Sequence, residues 1–63
     1  MDIKEYDKAR LKSGKVVKIV ELLGNGDAFV VEIYKEGEGL TVEQILREDI
    51  SSVIKEVEYP LSN

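Results

Sequence analysis

The chain has no cysteine, no histidine and no tryptophan, and one proline, Pro60, in 63 residues. Without cysteine there is neither a disulfide staple nor a thiolate cluster, and without histidine the commonest neutral metal ligand is missing as well. A packed core must therefore hold the chain together, and folding without a cofactor is expected. No basic run followed by an apolar stretch opens the sequence at Met1-Asp2-Ile3-Lys4-Glu5. Nor does any apolar run approach the roughly 20 residues a membrane-spanning helix needs. These absences point to a cytoplasmic protein with no membrane association. Basic residues are the minority, nine against thirteen acidic, for a formal charge of −4. That balance opposes the phosphate neutralisation on which nucleic-acid binding rests, so nucleic acid is a disfavoured partner.

What is present is apolar and β-branched. A hydrophobic fraction of 43%, rich in Val, Ile and Leu, is that of a folding chain and not of a disordered one. The length allows one small domain, residues 1–63, with a thin core, because a domain of this size buries only about 60% of the surface its unfolded chain exposes. Met1 and the polar Ser62-Asn63 read as natural ends.

Along the chain, Ala9 and Leu11 alternate with Lys8, Arg10 and Lys12, which predicts a short first strand, and Ser13-Gly14-Lys15 predicts a reversal. Val16 to Leu23 is apolar except at Lys18 and Glu21, and its β-branched residues Val16, Val17, Ile19 and Val20 favour a strand. Gly24-Asn25-Gly26-Asp27 predicts a hairpin with Asn-Gly in a type I′ turn. From Ala28 to Tyr34 the period is two, with Phe29, Val31 and Ile33 facing the core and Val30, Glu32 and Tyr34 facing away. Lys35 to Gly39 is a charged, glycine-bearing loop.

The last third supports two readings. As a helix over 41–58, Val42, Ile45, Leu46, Ile50, Val53, Ile54 and Val57 form one apolar stripe, and Thr41 with Gln44 matches a capping box. This would cover a three-stranded antiparallel sheet and give an α+β domain. As strands, Leu40 to Ile45 alternates, Arg47-Glu48-Asp49 turns, and Val53 to Tyr59 forms a last strand that Pro60 ends. Periodicity by itself prefers the helix.

Tyr6-Asp7, Leu11-Lys12-Ser13-Gly14-Lys15 and the run from Ile19 to Ile33, together with Thr41-Val42 and Glu48-Asp49-Ile50, resemble a family of small bacterial proteins of unknown function. The resemblance implies a mostly β fold, a five-stranded SH3-like barrel with a 3-10 turn before the last strand, and so favours the strand reading. Where that family tends to carry glycine two positions ahead of Ile19, this chain has Val17. The bend of the second strand must then be made by a β-branched residue or be shifted.

No catalytic pattern emerges. Ser13, Thr41, Ser51, Ser52 and Ser62 are the hydroxyls other than tyrosine, and capping or solvation accounts for each. Glu36 with Glu38 and Glu48 with Asp49 are adjacent carboxylates without a predicted cleft to perturb them. The glycines lack phosphate-loop and calcium-loop spacing. We therefore expect no enzyme, no cofactor and no metal site. The SH3 ligand class is not implied either, because the Ala-Leu-Tyr-Asp-Tyr loop and the tryptophan that grip proline-rich peptides are absent.

What remains is interaction. Tyr34 and Tyr59, each with an apolar body and a polar tip, are candidate anchors for a protein partner, another protein or a second copy. A small protein-interaction module is the primary expectation, in its sharper form an inhibitor or immunity-type protein of a mobile element. The alternative is a nucleic-acid- or ribosome-associated barrel using the basic residues of the first hairpin, Lys8, Arg10, Lys12, Lys15 and Lys18.

Overall fold

A computed structural model describes residues 2–54. Five antiparallel strands make one sheet: β1 (Lys8–Leu11), β2 (Val16–Leu23), β3 (Ala28–Lys35), β4 (Gly39–Leu46) and β5 (Ile50–Ile54), with a 3-10 turn over Arg47–Asp49 before β5. The strand order is β4-β3-β2-β1-β5. This is the mostly β, SH3-like arrangement expected, with one qualification. Among the described residues its ladder does not close, and β4 and β5 are the two edges of the sheet they form.

A single sheet without a covering helix can bury one face only by curling over itself, and the residue pattern requires that it does. Ala9, Val17, Ile19, Phe29, Val31 and Ile33 alternate with outward residues along β1, β2 and β3, and Ile45 and Ile50 complete the same cluster from β4 and β5. Phe29, Ile19 and Val31 have no exposed surface at all. The inward set expected for β3 is the set observed.

The strand carrying the bend is β2. Val17 pairs regularly with Ala9 on one side and Ile33 on the other, and the register slips between Ile19 and Glu21, where Val20 is the extra residue. A β-bulge bends a strand and increases its twist. The curvature is thus shifted along β2 from Val17. At the same point the segment before β1 is tied down: Tyr6 N–H donates to Ile19 O at 2.7 Å, and Ile19 N–H donates to Asp7 O at 2.8 Å. Tyr6 holds φ at 72°, a left-handed conformation uncommon for a residue with a Cβ, to make this connection.

Two sequence expectations are corrected, and one of the two readings of the last third is excluded. First, the hairpin between β2 and β3 is not a type I′ turn. Its positive-φ residues are Gly24 (59°) and Gly26 (87°) and not the Asn25-Gly26 pair, and the closing residues are Leu23 and Ala28. Gly26 N–H donates to Leu23 O, and a Cβ on Gly26 would stand 3.1 Å from the Arg47 guanidinium, so two constraints hold glycine there.

Second, the C-terminal helix does not form. Residues 39–46 pair with 35–28 in unbroken register, and Thr41 Oγ1 donates to Ile33 O instead of capping a helix. The helical stripe fails because it would leave the free side of β3 unpaired. As a strand, β4 supplies those hydrogen bonds and turns Val42 and Leu46 outward, at 66% and 48% exposure. Third, the last strand begins at Ile50 and not Val53, because Asp49 ends the turn. Its carboxylate accepts from Leu46 N–H at 2.9 Å, and Ile50 N–H donates to Arg47 O. Ser51 and Ser52 accordingly lie in β5 and not in a polar flank.

Candidate functional site

Because the inward residues are spent on the core, chemistry has only the outward face, the loops and the two edges to work with. On the outward face the register assembles a mixed patch. Lys8 lies opposite Lys18, Arg10 opposite Val16, and Lys18 opposite Glu32. Tyr34 lies opposite Leu40, and Glu32 opposite Val42. Lys8, Val16, Lys18, Glu32, Tyr34 and Leu40 line a shallow groove of about 250 Å³.

Tyr34 is 67% exposed and Leu40 64%, so the groove floor is apolar surface left in water. Its walls are charged. Lys18 extends its ammonium to within 5.7 Å of the centre of the Tyr6 ring.

The expected site residues divide accordingly. Tyr34 is outward and central. Lys8, Arg10 and Lys18 share its face, whereas Lys12 and Lys15 flank the β1–β2 turn at Ser13-Gly14. Tyr59 lies outside the described residues. Sequence inspection had not singled out Val16, Leu40 and Val42, although the alternation of Leu40, Val42 and Leu46 at even positions is their signal once β4 is recognised as a strand.

A second hollow lies at the opposite end of β4, lined by Asp27, Leu46, Arg47 and Glu48. Its organiser is Arg47. The backbone N–H of Arg47 donates to Asp27 O and its Nε to Gly26 O, while the guanidinium carbon lies 5.5 Å from the centre of the Phe29 ring. Arg47 thereby ties the β2–β3 turn to the end of β4, a structural task.

The adjacent carboxylates are on exposed loops, and Asp49 serves as the cap of the 3-10 turn. Among the described residues no group of three or more Asp or Glu side chains is placed to hold a metal ion. No helix among them is long and apolar enough to cross a membrane.

One ion pair marks the β4 edge: Lys35 Nζ contacts Glu43 Oε2. The hydrogen bond that the Lys35 ammonium donates to the Glu43 carboxylate, and secondarily the Glu43 charge, raise the Lys35 pKa above its ordinary 10.5. A raised folded-state pKa means the pair contributes stability that is fully present below about 10.5 and is lost as pH climbs through the folded-state value. Both groups are more than a third exposed, so the contribution is small. Glu43→Gln should therefore lower the Lys35 titration midpoint, followed by NMR of its side-chain carbon next to the ammonium, and leave stability near neutrality almost unchanged.

No family model matches this chain, and neither a curated protein nor a solved structure does.

Proposed function

We propose that this domain is a non-catalytic protein-binding module whose contact surface is the outward side of β2, β3 and β4. The observation that carries this is the exposed apolar row of Val16, Tyr34 and Leu40 set between charged walls. An apolar centre with a charged rim is the anatomy of a protein interface, and tyrosine is among the residues that dominate binding energy when desolvated. The basic members of the rim, Lys8 and Lys18, suit an acidic partner segment. Their shared face also supports the second reading, association with nucleic acid, which the overall charge of −4 opposes.

The test is affinity capture of the tagged chain from lysate of its own host, with and without nuclease, compared with Tyr34→Ala. On the protein-binding reading, a specific protein survives nuclease, and the variant weakens its capture by at least about tenfold, the effect of removing an interface anchor. Loss of all bound material on nuclease treatment would replace this reading with the nucleic-acid one. Tyr34 is 67% exposed, so its truncation leaves the fold intact.

A further inference from the structure

An edge strand presents unpaired backbone N–H and C=O groups, and proteins that must stay monomeric blunt such edges with proline, bulges, lysine or shortness. The two edges of this sheet differ sharply. Along β5 (Ile50–Ile54) the pairing with β1 is interrupted by a register shift between Arg10 and Leu11. β4 is eight residues long, has neither proline nor lysine, and pairs with β3 without a bulge. Its outward side chains Leu40, Val42 and Leu46 are all exposed. The one blunting device is the charge of Glu43 on the inner side, and Lys35 neutralises it within the same chain.

We infer that β4 pairs antiparallel with β4 of a second copy about a twofold axis at Val42, joining the two sheets into one. This deepens the protein-binding reading above by naming the partner at the β4 border of that surface.

The residue pattern read against itself favours a second copy. A twofold through Glu43 would set two carboxylates directly opposite, and like charges in that position are destabilising. With the axis one residue earlier, Val42 faces Val42, Leu40 faces Gln44, and Thr41 faces Glu43, so the two Glu43 carboxylates no longer stand directly opposite. The pairing is isologous, as a closed dimer requires. On the outward face the row Val16, Tyr34, Leu40 of one copy then continues into Gln44 and Val30 of the other, so the groove gains a far wall.

The absence of cysteine makes this directly testable with the full chain. Directly opposite strand residues have Cα atoms about 4.5–5.5 Å apart, within disulfide reach. Val42→Cys should therefore yield a disulfide-linked dimer under oxidising conditions. Gln44→Cys should not, because its copies would be offset by about 13 Å along the strands.

Sedimentation over a concentration series should show the unmodified chain passing from 7.1 kDa to twice that mass. Val42→Lys, which sets two ammonium groups on the axis at a 66% exposed position, should abolish the heavier species while circular dichroism stays unchanged. A chain that stays monomeric throughout, a dimer that survives Val42→Lys, or preferential cross-linking of Gln44→Cys would each overturn the pairing. A monomer that still captures a nuclease-resistant partner through Tyr34 would overturn the pairing alone and leave the protein-binding reading standing.

Discussion

Phe29→Ala should leave the chain largely unfolded at room temperature. Phe29 is the largest described side chain with no exposed surface, and it sits on β3, between Leu22 of β2 and Ile45 of β4. Truncating a buried phenylalanine costs about 3–5 kcal/mol, the transfer of the ring plus the cavity left behind. A domain of this length has roughly 3–9 kcal/mol of total stability. The cavity cannot close cheaply, because both neighbouring strands are fixed by ladder hydrogen bonds. The Arg47 guanidinium, whose carbon lies 5.5 Å from the ring centre, would lose the surface it packs on. Circular dichroism with a urea titration reads the outcome. Val30→Ala, one residue along and pointing the other way, should keep a cooperative transition. If Phe29→Ala melted cooperatively with only a slight shift, the core would not be centred where the burial pattern places it.

That contrast between adjacent residues is the part of the fold the sequence made legible. A period of two in β3 needs no tertiary knowledge to interpret, and the inward set Phe29, Val31 and Ile33 follows from it. The β2–β3 turn was legible as a reversal but not in type. Gly24 and Asn25 both tolerate a left-handed conformation, so the residue types alone do not decide which of them takes it. β4 was ambiguous for a related reason. Its apolar positions satisfy a helical spacing, and only the unpaired side of β3 decides against it.

The outward site was half legible. Tyr34 follows from the alternation in β3. Leu40 and Val42 become surface anchors only once β4 is known to be a strand, so the helix-strand ambiguity hid them. The basic residues formed one group in sequence, whereas the β1–β2 register sends Lys8 and Lys18 to the groove, and Arg10 donates to Gly14 O at the turn that Lys12 and Lys15 flank.

Ile3 is the residue that neither period nor motif exposed, and its truncation is the second large effect expected. It precedes every strand yet is only 5% exposed and belongs to the core cluster. Its placement depends on a short backbone device. Lys4 N–H donates to the Asp7 carboxylate at 3.0 Å, Asp7 N–H returns to Lys4 O at 3.1 Å, and the turn so formed lets Tyr6 and Asp7 bond to Ile19 on β2. This ties the N-terminal segment to the core beside the β2 bulge. Ile3→Ala should cost about 2–5 kcal/mol and lower the melting temperature by at least about 10 °C in a domain this small. Lys4→Ala, exposed and contributing only backbone to the device, should stay within about 0.5 kcal/mol. Hydrogen exchange separates the two ways Ile3 can matter. Because there is one thin core, the amides of Tyr6, Ile19 and Val31 should lose protection together in Ile3→Ala. Loss confined to Tyr6 and Ile19 would instead make residues 2–7 a detachable cover over a core that β1 to β5 complete without it.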